Sequence, residues 1–143
     1  MAQKPSVKRR QTSRTLQYVA DTHALYWYLQ NPARLSAAAD AVFRLAEVGE
    51  ALIIIPAIVV AELYYVAKKQ NHDRSIAGLL SDIDAAPGFM LSELGQAQLE
   101  LLEALDIDEM HDRLIAAEAL ARKAAVVTKD QTLRNSQVID TIW

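Results

Sequence analysis

Short apolar runs alternate with longer stretches of helical spacing along this chain. Residues 16–20 form an apolar run that ends at Asp21, and over residues 22–30 Leu25, Tyr26, Tyr28 and Leu29 recur at near-helical intervals. That pattern predicts a strand followed by a helix. Asn31-Pro32 interrupts it, and Ser36 suits the N-cap of a second helix through Ala38, Val42, Leu45 and Ala46, closing near Gly49. Residues 52–55 are wholly apolar and β-branched after Leu52, as expected of a strand buried on both faces. Pro56 suits the first turn of a helix over 57–70, and a further helical stretch over 75–85 stops at Pro87-Gly88. The remaining pattern predicts a third strand at 89–91, an amphipathic helix over 96–105, a helix over 112–124, a brief buried strand at 125–127 and a last strand over 138–142. Strands alternating with helices imply one three-layer α/β/α domain around a mostly parallel sheet of about four to five strands.

Length and composition agree with one domain: 143 residues, 52% of them hydrophobic, suffice for a single core and leave little room for a second. Cysteine is absent, which excludes disulfides, a thiolate nucleophile and cysteine-ligated metal. The longest apolar run, 51–61, contains Pro56 and is far shorter than the roughly 20 residues of a membrane span. The basic start is followed by no apolar segment of signal-peptide length, so a cytoplasmic protein without membrane association is expected.

Charge divides the chain. Lys4, Lys8, Arg9, Arg10 and Arg14 contribute +5 to a start without acids, so the net −3 leaves −8 for the remainder. Residues 1–15 therefore read as a basic, flexible leader and 16–143 as the folded domain. Such a leader can meet nucleic acid phosphate or simply be solvated.

Four carboxylates stand where this reading would converge them: Asp21, Glu62, Asp112 and Asp130. In parallel sheets, ligands gather beyond the carboxyl ends of the strands, and Asp21 and Asp130 each follow a strand. Each also suits a helix N-cap. Glu62 differs, because its helical neighbours Ile58, Val59, Tyr65 and Val66 offer a carboxylate no partner. Its partner must come from elsewhere in the fold, and a metal ion is one candidate. Asp112 opens a helix whose following face, Ile115, Ala116 and Ala119, is small enough to lie against the sheet; a first-turn acid serving the helix dipole is the plainer reading. Crowded acids must protonate or bind cations.

Taken in order, 19–25 (Val-Ala-Asp-Thr-His-Ala-Leu), 56–63 (Pro-Ala-Ile-Val-Val-Ala-Glu-Leu), 111–117 (His-Asp-Arg-Leu-Ile-Ala-Ala) and 127–130 (Val-Thr-Lys-Asp) resemble the PIN-domain family of metal-dependent ribonucleases, especially the VapC-type toxins of prokaryotic toxin–antitoxin pairs. The resemblance implies that Asp21, Glu62, Asp112 and Asp130 form the acidic quartet, with Thr128 as the hydroxyl beside the last acid. It further implies an endoribonuclease that hydrolyses phosphodiester bonds in RNA, a homodimer, and a cognate antitoxin. Asp108 and Glu109 lie close before the third acid, leaving open whether Asp112 alone serves the metal in that segment.

Mg²⁺ or Mn²⁺ suits such an oxygen-rich site, and a bound ion would invert its charge so that it attracts phosphate. Asp21 and Asp112 are expected to coordinate directly, Glu62 and Asp130 through water, and Thr22 and Thr128 to orient carboxylates by hydrogen bonds. His111, Arg113 and Lys129 are candidate substrate contacts, although ordinary salt bridging explains the last two equally well. His23, His72 and His111 lack metal-cluster spacing. Tyr26, Trp27 and Tyr28 cannot all face inward on one helix, so at least one is expected at an interface. Two rivals remain: a non-catalytic PIN-fold module binding RNA or protein, and a metal-dependent phosphatase or phosphotransfer receiver.

Overall fold

The computed structural model describes residues 15–143; the basic leader, Thr15 apart, lies outside the described residues. Five strands form one sheet in the order β3-β2-β1-β4-β5, and every neighbouring pair is parallel. They are β1 (Leu16–Ala20), β2 (Ala51–Pro56), β3 (Phe89–Ser92), β4 (Ala125–Val127) and β5 (Thr141–Ile142). Among the described residues, seven α-helices connect them: α1 (Thr22–Gln30), α2 (Ala37–Glu47), α3 (Ala57–Lys69), α4 (Ile76–Ala85), α5 (Gln96–Leu99), α6 (Met110–Arg122) and α7 (Gln131–Arg134). Consecutive residues Ile53, Ile54 and Ile55 are all fully buried, as are Val19 with Ala20 and Val126 with Val127. Successive side chains point to opposite faces of a sheet, so burial of both members of each pair means that both faces are covered.

Local chemistry accounts for the boundaries. The Ser36 and Ser75 hydroxyls cap α2 and α4 by accepting from the amides of Ala39 and Gly78. After α4 the chain turns through Gly88 at φ +77, where a Cβ would sit 2.6 Å from the Ala46 carbonyl oxygen. Only glycine allows β3 to start this close to α2.

Three sequence expectations need correction. The helix expected over 96–105 is only α5, followed by a 3₁₀ turn at Leu102–Ala104, because the chain bends to bury Leu105 and Ile107. The helix expected to open at Asp112 opens at Met110, since the Glu109 carboxylate accepts from the His111 and Asp112 amides and serves as N-cap. The last strand occupies only Thr141–Ile142, as Asp106 instead holds the Ser136 hydroxyl and the Gln137 amide.

Strand order reverses at β1, from which the chain proceeds first to β2 and β3 on one side and later to β4 and β5 on the other. The crevice beyond the carboxyl ends of β1 and β4 is therefore the switch point of the sheet. The amide of Asp21 donates to the carbonyl of Val127 at 3.2 Å and ties the two strand ends together.

Candidate active site

The crevice opens into a cavity of about 470 Å³ whose lining includes Asp21, Glu62, Asp112 and Asp130, with Thr22 and Lys129. Four segments distant in sequence thus bring the expected acids to one place. Asp21 ends β1, Glu62 lies on α3, Asp112 lies in the first turn of α6, and Asp130 follows β4.

Asp21 caps α1 and also lines the cavity. One carboxylate oxygen accepts from the Ala24 amide at 2.9 Å and the other from the Thr128 hydroxyl. Burial pushes its pKa up, and these two bonds counter only part of the rise. Asp130 likewise caps α7, accepting from the Leu133 amide at 3.1 Å, while its own amide donates to the Thr128 hydroxyl at 2.9 Å. Thr128, fully buried, thereby links the first and last acids. The partner that Glu62 needs is Thr22, whose hydroxyl donates to it at 2.6 Å.

Asp112 is the acid with the least support. Among the described residues no group donates a hydrogen bond to its carboxylate. Burial pushes its pKa up to about 6, with further contributions from the negative charges of Asp130, Glu109, Glu62 and Asp21. Glu109, by contrast, is committed to helix capping and to the His111 ring at 2.7 Å. Burial opposes its charge, but these hydrogen bonds outweigh burial and hold its pKa below the usual range. Asp112 faces the cavity, whereas Glu109 is not among the residues lining it.

The other expected contacts divide. Lys129 lines the cavity, its ammonium 5.8 Å from the centroid of the Trp27 ring. His111 stands between Glu109 and Glu62, its Nδ1 3.8 Å from the Glu62 carboxylate. The hydrogen bond to Glu109, the largest cause, and the neighbouring acids raise the pKa of the imidazole. Arg113 is not brought to the cavity; its guanidinium donates to the Leu105 carbonyl at 3.1 Å and anchors the loop before α6.

Trp27 was not among the expected site residues, yet it lines the cavity beside Lys129. Its place in the Tyr26-Trp27-Tyr28 triplet was the available signal. Tyr26 turns into the core, and Tyr28 stacks on Phe43 with centroids 4.4 Å apart, leaving Trp27 for the crevice. Glu118 was also missed. Only 2% exposed, it accepts from Ser92 at 2.9 Å and Gln98 at 3.0 Å and pairs with Arg122.

Among the described residues, no three His, Cys, Asp or Glu side chains stand close enough to make a ready metal cage. The donor set nevertheless suits a hard divalent cation. Mg²⁺ retains several waters and takes only one or two carboxylates from a protein. Asp112, half-buried without a donor, supplies an uncompensated charge for such an ion.

A parallel sheet whose strand order reverses at β1, with acids lining the crevice there, defines an α/β protein of the doubly wound kind. More specifically, the chain belongs to the PIN domain family, whose model matches residues 18–137. Solved structures similar to it include two VapBC structures. One, VapBC2 from Rickettsia felis bound to a DNA fragment from their promoter, is 18% identical over 88% of this chain and 97% of the compared chain, with a TM-score of 0.67. The other, DNA-bound VapBC from Salmonella typhimurium, is 18% identical over 88% and 96%, with a TM-score of 0.60. These similarities concern the fold. No curated protein sequence matches significantly. Among the described residues no helix is long and apolar enough to cross a membrane.

Proposed function

We propose that this protein is a Mg²⁺- or Mn²⁺-dependent endoribonuclease and the toxin of a toxin–antitoxin pair. The observation that carries the proposal is the meeting of Asp21, Glu62, Asp112 and Asp130 in one cavity of a PIN fold. Asp21 and Asp112 would hold the ion, with Glu62 and Asp130 reaching it through water and orienting that water. Thr22 and Thr128 fix Glu62 and Asp21 through their hydroxyls. Lys129 supplies positive charge at the rim for the incoming phosphate, and His111 stands beside Glu62. When bound, the metal would activate water and offset charge on the phosphate. Hydrolysis adds that water across the phosphodiester: its oxygen bonds phosphorus, and the leaving ribose oxygen takes up a proton.

The similar structures are described as VapBC, which supports a cognate antitoxin for this chain and, with the family resemblance, a cytoplasmic homodimer. The test is cleavage of cellular RNA by purified protein in Mg²⁺, Mn²⁺ or EDTA, beside folded Asp21→Asn and Asp112→Asn variants. Discrete metal-dependent fragments absent from both variants are expected. Folded, partner-free protein that cuts no RNA would instead favour a binding module.

A further inference from the structure

A second cavity of about 430 Å³ adjoins the acidic one, and the two share His23, Trp27 and Val66 in their walls. We infer that the second cavity is a subsite for the nucleotide flanking the scissile phosphodiester in single-stranded RNA, with Arg34 in its wall and Lys129 in the wall of the adjoining acidic cavity holding phosphate and the shared Trp27 supporting the base. This inference rests on the ribonuclease reading.

Trp27 is the shared wall. The Arg34 guanidinium carbon lies 4.6 Å from its ring centroid and the Lys129 ammonium 5.8 Å. Trp143 approaches the same ring with centroids 5.7 Å apart. Neither Arg34 nor Lys129 has a carboxylate within ion-pair distance among the described residues, and both are exposed. Two cations held by an aromatic ring, with no acid to satisfy them, form a receptor for anions.

The second cavity differs from the first in its chemistry. Among the described residues its lining includes no carboxylate, and the side-chain amides of Gln30, Asn31 and Gln70 offer both donors and acceptors. An acidic peptide would also find the cations, but the Trp27 ring beside the Arg34 guanidinium, together with these amides, matches a nucleobase, with its π-face and mixed polar edge. An unpaired strand is required, because a base within a duplex cannot leave the stack to enter a cavity without the cost of unpairing.

The experiment is fluorescence anisotropy with a labelled 12-nucleotide single-stranded RNA of mixed sequence. The protein is the full chain carrying Asp112→Asn, in constant Mg²⁺. Adding Arg34→Gln and Lys129→Gln together should weaken binding and flatten the salt dependence by about 1.4 in the log–log slope, about 0.7 for each lost contact to a single strand. Trp27→Ala should weaken binding about tenfold and Trp27→Phe by less than about threefold, the order expected for losing and keeping one base stack. A duplex of the same sequence should compete poorly. Unchanged affinity and slope in the Arg34/Lys129 double variant would overturn the subsite and return these side chains to a protein partner. Because the assay reads binding alone, it stands apart from the cleavage test: an RNA-cutting parent whose double variant binds normally loses only the subsite.

Discussion

Helix α6 carries two carboxylates in opposite circumstances, Asp112 in its first turn and Glu118 farther along. Glu118 is almost fully buried yet completely provided for, by Arg122, Ser92 and Gln98. Asp112 is less buried and receives no hydrogen bond, while four other acids press on it. A charge kept for stability brings its partners with it. One left without them at a sheet switch point is open to a ligand, the role proposed for Asp112.

Four substitutions would break or sharpen that contrast. Asp21→Asn removes the other carboxylate proposed to hold the ion beside Asp112, and metal-dependent RNA cleavage should fall by more than about 100-fold, beyond the 10–100-fold that supporting positions cost. Gel assays of cleavage check this, with circular dichroism confirming the fold. Glu118→Ala breaks the provided set. Thermal melting should reveal a loss of about 3 kcal/mol, about 10 °C for a chain of this size, with cleavage per folded molecule within about twofold of the parent. A large activity loss at unchanged stability would put Glu118 in the wrong class.

Thr128→Val keeps the buried volume and removes the hydroxyl shared by Asp21 and Asp130. Cleavage should fall about tenfold, and the loss should shrink at high metal concentration, because a supporting hydrogen bond tunes a ligand and does not replace it. The smallest effect belongs to metal-free stability. Below pH 3.8, Asp112 is protonated in folded and unfolded chains alike; between there and its folded pKa of about 6 the folded chain retains a proton the unfolded chain has lost. The Asp112 contribution to stability therefore falls as pH rises through that window, and above it the penalty is complete. In EDTA at pH 7, Asp112→Asn should be more stable than the parent by about 1 kcal/mol, allowing for solvent screening of a half-exposed group. The gain should vanish at pH 3.5 and shrink when Mg²⁺ is added to both proteins. Equal pH profiles for the two would remove the idea that Asp112 is held under repulsion.

Much of this was written in the order of residues. Short apolar runs located the strands, most plainly β2 and β4, where Ile53 to Ile55 and Val126-Val127 are buried on both faces, whereas the last strand proved shorter than its apolar pattern because Asp106 holds Ser136 and Gln137. Asp21 and Asp130 were visible as strand-end acids, and Glu62 as a charge on an apolar helix. The same reasoning passes over Glu118, because Arg122 stands one turn further on as an ordinary partner for it, while the Ser92 and Gln98 contacts come from distant segments. Arg113 shows the limit differently: adjacency to Asp112 in sequence placed it near the site, while helical geometry sends successive side chains about 100° apart and turns it to Leu105. Glu109 and Asp112 could be separated only once the helix start was known, because a shift of two residues exchanges cap and cavity.

The hydrogen bond from Thr128 to Asp21 closes a span of 107 residues. Pairing β1 with β4 is correspondingly costly in chain entropy and comes late in folding. During synthesis, β1 can pair with β2 long before β4 has left the ribosome. The first acid must therefore wait, in a half-built sheet, for nearly the whole chain to be made. Any activity seated in this crevice begins only after translation has passed Asp130, because the crevice has no far wall until then.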